Sequence, residues 1–173
     1  MYWYVLFTRT GREEKVEQFL KKQLDNDVFM PFIPMLQLIF INSGRVKEEL
    51  KPLFPGYVFI QSEVVGQEFL KEIRTSVYTT DDIFRVLKYS DTKIALKQSE
   101  KQMLLSLCND DFFIESSCGF IEGDRVYIIE GPLKGFESII RKIDRHKRIA
   151  SIEIEFMGDI RLVHVGLEII RKV

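Results

Sequence analysis

The sequence predicts an α+β protein in two parts: an N-terminal α/β sandwich, with helices against an antiparallel sheet, and a small C-terminal SH3-like β-barrel. Three observations carry this. Strand-like and helix-like periodicities alternate up to residue 107, in the order β-α-β-β-α-β-α. A loop of unusual composition, Lys51-Pro-Leu-Phe-Pro-Gly-Tyr-Val-Phe-Ile60, feeds one of the strands. From Phe120 onward, β-branched alternation dominates. The length of 173 residues fits one or two small domains, and 46% hydrophobic with 29% charged content is ordinary for a soluble globular chain.

The N-terminal elements follow from local pattern. Tyr2 to Thr8 is β-like and aromatic, and Gly11 releases it into a helix. There Val16, Phe19, Leu20 and Leu24 recur at helical spacing, with Glu13 and Glu14 early and Lys21 and Lys22 late, as the helix dipole favours. Val28 to Ile41 reads as one or two strands that turn at Asn42-Ser43-Gly44 into a charged return, Arg45 to Lys51. Pro52, Pro55 and Gly56 form a rigid turn that presents Phe54 and Tyr57 ahead of a strand, Tyr57 to Gln61. A short helix is predicted over 67–74, a strand over 83–87, and a helix over 99–107 capped by Ser99.

Between Cys108 and Gly119 the periodicity lapses, so 108–118 is read as a linker between domains 1–107 and 119–173. Five strands are predicted beyond it, over 125–129, 138–144, 149–156, 161–164 and 168–170. Five strands in so few residues imply a barrel, because closure removes exposed edges.

Several function classes are disfavoured. Net charge is −1, so any nucleic-acid surface must be a local patch. No apolar run reaches the roughly 20 residues of a membrane span, and no signal peptide is recognisable at the N-terminus, so a cytoplasmic protein is expected. Cys108 and Cys118 read as reduced bystanders. His146 and His164 lack metal-ligand spacing, and the pairs Asp81-Asp82 and Asp110-Asp111 fall in loops. No catalytic residue, metal or cofactor is expected.

The opening Trp3-Tyr4-Val5, the loop Lys51–Ile60, and the run Gly123-Asp-Arg-Val-Tyr-Ile-Ile-Glu-Gly131-Pro-Leu-Lys-Gly135, in that order, resemble the NusG family of transcription elongation factors. The first two resemble its N-terminal (NGN) domain and the third its KOW domain. The resemblance implies that Trp3, Tyr4, Phe54, Pro55 and Tyr57 line a depression for the clamp helices of RNA polymerase's largest catalytic subunit; from composition alone they read equally as core aromatics. It implies that the loop Arg45, Lys47, Lys51 lies near upstream DNA, against the plainer reading of a solvated hairpin. Phe156-Met157-Gly158 resembles the loop that docks a small-subunit ribosomal protein, but Met157 replaces the usual Phe, which argues against that coupling. Ser138 replaces a customary Gly, so a relaxed or strained backbone is expected there.

Arg141, Lys142, Arg145, His146, Lys147 and Arg148 form a cationic hairpin suited to phosphates, or simply a solvated turn, and Lys134 ahead of it is a further candidate for RNA contact. Together with the Gly of Phe54-Pro-Gly-Tyr57, this basic hairpin resembles the specialised LoaP-type paralogs, which read a hairpin in leader RNA. The Ile-rich KOW segment favours a constitutive barrel over the helical hairpin of the paralog RfaH. The expected protein is a monomeric, non-catalytic antitermination factor. The alternatives are a general NusG-type elongation factor or a structural KOW RNA-binding protein.

Overall fold

The structure is a computed structural model that describes residues 1–173. In chain order its elements are β1 (Tyr2–Thr8), α1 (Glu13–Gln23), β2 (Phe29–Phe32), β3 (Met35–Asn42), β4 (Arg45–Pro52), β5 (Tyr57–Ser62), α2 (Gly66–Thr79), β6 (Ile83–Val86), α3 (Gln98–Leu107), β7 (Phe113–Ile114), β8 (Ser117–Glu122), β9 (Arg125–Glu130), the 3-10 turn η1 (Glu137–Ile139), β10 (Ile140–Asp144), β11 (Ile149–Phe156) and β12 (Asp159–Lys172). They group into two compact units. One holds Met1–Ile33 and Phe54–Lys101; the other holds Pro34–Leu53 and Gln102–Val173.

In the first unit, an antiparallel sheet runs in the order β2-β5-β1-β6. Cross-strand partners share a face, so the Tyr4–Ile60 and Leu6–Val58 pairs define one side. Val16 and Leu20 of α1 and Phe69 and Ile73 of α2 are buried with them. Each such side chain contributes roughly 1.5–3 kcal/mol of apolar burial. Tyr4 stacks on Phe69 at 3.6 Å, donates its hydroxyl to the Val64 carbonyl at 2.6 Å and accepts the Gly66 N–H at 3.0 Å. The other side carries Trp3, Phe32, Phe54 and Phe59, whose ring centroids lie 4.9 to 6.3 Å apart in adjacent pairs.

Two local readings need correction. Helix α2 continues to Thr79, well past the expected end at 74, because Ser76 extends the buried stripe of Phe69 and Ile73 by a further turn. Ser99 lies inside α3 and so does not cap it.

The second unit contains a five-stranded sheet, β10-β11-β12-β8-β9, and a three-stranded sheet, β4-β3-β7. Ala150, Ile152, Ile154, Phe156, Val165 and Leu167 form the core of the larger sheet. Residues 140–144 and 149–156 are strands, as their Ile content favours. The expected break between the last two strands is absent: β12 is continuous, antiparallel to β11 in its first half and parallel to β8 in its second. Gly166 serves a close approach here and not a break, since a Cβ at that position would lie 2.7 Å from Ser116 Oγ. The sheet is not closed by strand pairing: β9 and β10 are its two ends, and η1 touches both β9 and β11. The linker-like segment carries β7, which pairs with β3, and the start of β8. Its β-forming residues, Phe113 and Ile114, lie between polar neighbours that hid the strand.

Candidate functional site

The Phe54-Pro55-Gly56-Tyr57 loop is built by a turn and a buried carboxylate. Tyr57 N–H donates to the Phe54 carbonyl at 3.2 Å, and the Gly56 carbonyl accepts from Thr8 N–H at 2.8 Å. Gly56 has φ of +88°, which favours glycine, and a Cβ there would sit 3.0 Å from Thr10 Oγ1. Its N–H donates at 2.7 Å to Oε1 of Glu13, a residue only 5% exposed. Glu13 thus ties the first turn of α1 to the loop. Sequence reading assigned it only to the helix dipole; its loop partner, 43 residues away, left no local signal.

The expected docking residues divide by burial. Trp3 and Tyr4 are core residues, 1% and 0% exposed: Trp3 lies beneath the face that carries Phe54, and Tyr4 lies on the opposite face against Phe69. Trp3 Nε1–H donates to Gln61 Oε1 at 2.9 Å. Phe54 is buried, Pro55 is exposed and Tyr57 is half-buried. Around Tyr57 the sheet adds aromatics that sequence reading missed. Phe7 lies 5.5 Å from the Tyr57 ring and 5.1 Å from that of Phe84, which is half exposed. Arg85 sits 5.4 Å over Phe7, and Arg9 5.7 Å over Phe84. The signal was present in the alternation of β1 and β6, but the register Phe7–Tyr57 and Phe7–Arg85 that joins them is not local.

In the second unit, the turn joining β10 to β11 carries Arg145, His146, Lys147 and Arg148. Asp144 Oδ1 accepts the Lys147 N–H at 3.0 Å, and this bond holds the Asp144 carboxyl below its usual range. Arg148 closes the turn at φ of 54°. Arg141 is engaged, donating to the Ser138 carbonyl at 2.6 Å and pairing with Glu153 at 3.1 Å. Arg148 faces Glu168 at 3.9 Å. Lys142, Arg145, His146 and Lys147 are exposed and form no ion pair. Lys134 is exposed on the preceding loop, where Gly131 (φ +102°) packs on Ser117. Ser138 adopts an ordinary conformation in η1, so of the two expected alternatives the backbone is the relaxed one.

The remaining sequence-predicted positions are scattered. Arg45 and Lys47 are exposed at the β3–β4 tip, while Lys51 pairs with Glu49 at 3.4 Å and lies 6.0 Å over Phe40. Phe156 is fully buried, and Met157 and Gly158 make a two-residue hairpin turn with φ of 51° and 84°. Cys108 and Cys118 are free thiols. Burial pushes Cys108 up to about 12 and raises Cys118 as well. Four or more acidic or thiol ligands do not gather anywhere, and no group of three His, Cys, Asp or Glu forms a metal-binding cluster. No helix is long and apolar enough to cross a membrane.

One unit thus carries an aromatic patch around Tyr57, and the other a basic β-turn. The family model described as "Transcription termination factor nusG" matches residues 1–105, and the KOW motif model matches residues 122–155. The chain belongs to the NusG family. It is 27% identical to the transcription termination/antitermination protein NusG of Thermus thermophilus over 165 residues, covering 90% of each chain. It is 24% identical to that of Borreliella burgdorferi, covering 99% of this chain and 98% of the relative, and 24% identical to that of Bacillus subtilis, covering 90% and 89%. The solved structure "Domain interaction in Thermotoga maritima NusG" aligns over 97% of this chain and 93% of its own, with a TM-score of 0.52 and 21% identity, and so shares the fold.

Proposed function

We propose that this chain is a non-catalytic transcription termination/antitermination factor that docks on the clamp helices of RNA polymerase through its NGN domain, 1–107, and contacts structured leader RNA through its KOW domain, 119–173. The observation that carries the docking reading is the loop Phe54–Tyr57. It is locked by a buried hydrogen bond to Glu13 and continues into the aromatic patch of Phe7 and Phe84. Preorganised aromatics are the residues that dominate protein interfaces. Pro55 and Tyr57 would touch the partner, with Phe54 and Trp3 shaping the surface from below, while Tyr4 braces the opposite face of the sheet against Phe69.

The RNA reading rests on the basic residues of β10 and the β10–β11 turn, of which Lys142, Arg145 and Lys147 stay outside ion pairs. It makes the protein a specialised, LoaP-like member acting on selected transcripts in the cytoplasm. Arg45, Lys47 and Lys51 would lie toward upstream DNA. The second reading is a general elongation factor, and the names of the relatives favour it. Pull-down of purified RNA polymerase tests the common part, and binding of a leader stem-loop against its scrambled sequence separates the two readings. Binding no tighter than to the scrambled RNA would leave only the general factor.

A further inference from the structure

A basic concavity lies beside the turn, on the outer face of the β10-β11-β12 sheet. Lys142, Ser151 and His164 stand directly opposite one another across the three strands, so all three side chains project from one face. Ser151 is only 7% exposed, and its Oγ lies 2.9 Å from His164 Nδ1. That bond fixes the imidazole and leaves Nε2 as the ring's remaining polar atom. These residues line a cleft of about 340 Å³ together with Lys147 from the turn, Asp144, Ile149 and Leu162. A water occupies about 30 Å³ of liquid, so the cleft has space for a tetrahedral anion and an attached sugar.

We propose that this cleft seats one phosphodiester of an RNA backbone. Its charge matches that ligand. Lys142 and Lys147 oppose the single carboxylate of Asp144, giving a net charge of +1 with His164 neutral, and a phosphodiester carries one negative charge. Asp144 is itself occupied by the Lys147 N–H, which limits its repulsion of the anion. Donors converge from three elements: Lys142 on β10, Lys147 on the turn and His164 on β12. Ile149 and the half-exposed Leu162 supply apolar walls for a ribose. The surface that grips RNA therefore extends from the turn across the sheet to His164, which no basic-residue pattern marks.

This inference rests on the RNA reading above, and the test separates the two. The full-length chain is titrated with a fluorescein-labelled 30-nucleotide leader stem-loop at several salt concentrations, and separately with inorganic phosphate under NMR observation of backbone amides. Lys142→Ala and His164→Ala should each weaken stem-loop binding about tenfold, the scale of one charge-assisted hydrogen bond. Lys142→Ala should also flatten the salt dependence of log K by about 0.7–0.9. Both sites are exposed, so the folded spectrum should persist. Ser151→Ala, which removes only the hydroxyl that orients the ring, should weaken binding less than His164→Ala. If Arg145→Ala weakens RNA binding while Lys142→Ala and His164→Ala leave affinity and salt slope unchanged, the cleft is not the seat and the RNA reading stands. If the wild-type chain binds no stem-loop, the RNA reading falls and takes this one with it. Phosphate-induced shifts at Ser151 and His164 in that case would mark an anion site only and would still overturn the assignment to RNA.

Discussion

Glu13 shows how one residue links the first turn of α1 to the sequence-distant Phe54–Tyr57 loop. A carboxylate accepting a backbone N–H in a buried place is a strong hydrogen bond, and losing it strands the Gly56 N–H. Glu13→Ala should therefore destabilise the protein by about 1–3 kcal/mol in urea unfolding. Gly56→Ala should cost about 1–3 kcal/mol as well, because φ of +88° is held where alanine is strained. Wild-type stability in both variants would mean the loop is not fixed as described. The cysteines give a second check. With both thiols raised, thiolate is scarce at pH 8, so iodoacetamide should modify the native protein far more slowly than the guanidine-unfolded one. The loop's glycine was legible in the sequence because the Pro-Gly pairing announces a turn. Its carboxylate partner was not, because burial of Glu13 depends on tertiary packing.

At the scale of elements, most strands and helices were legible where one periodicity ran uninterrupted, as in β1, α1 and β5. The failures share a cause. The strands expected over 161–164 and 168–170 are one strand, and Gly166 between them lets Ser116 approach closely. β7 is two residues long and exists by pairing with β3, so no local pattern could show it. The β10–β11 turn yields a prediction. Asp144 has a depressed folded pKa, so its contribution is fully present above its unfolded value near 4 and is lost as pH falls through the lower folded value. The amide shift of Lys147, followed by NMR from pH 6 to 2, should titrate with a midpoint below the ordinary aspartate value. A midpoint at or above that value would contradict the Asp144–Lys147 bond.

At the scale of the whole molecule, sequence motifs were enough to identify the family, and the family models agree over 1–105 and 122–155. The motifs presented Phe54 and Tyr57 as the outward aromatics, and burial of Phe54, 4% exposed, corrects the first of these. The structure places Trp3 and Tyr4 in the core and leaves Tyr57, with Phe7 and Phe84, nearer the surface. If this outward patch docks RNA polymerase, the affinity of the full-length chain for purified polymerase should depend on it, compared among wild type, Tyr57→Ala and Phe84→Ala. Tyr57→Ala should lose about 1–3 kcal/mol, the range of an interface anchor, and Phe84→Ala less, with both variants folded. Wild-type affinity in both folded variants would contradict docking through this patch.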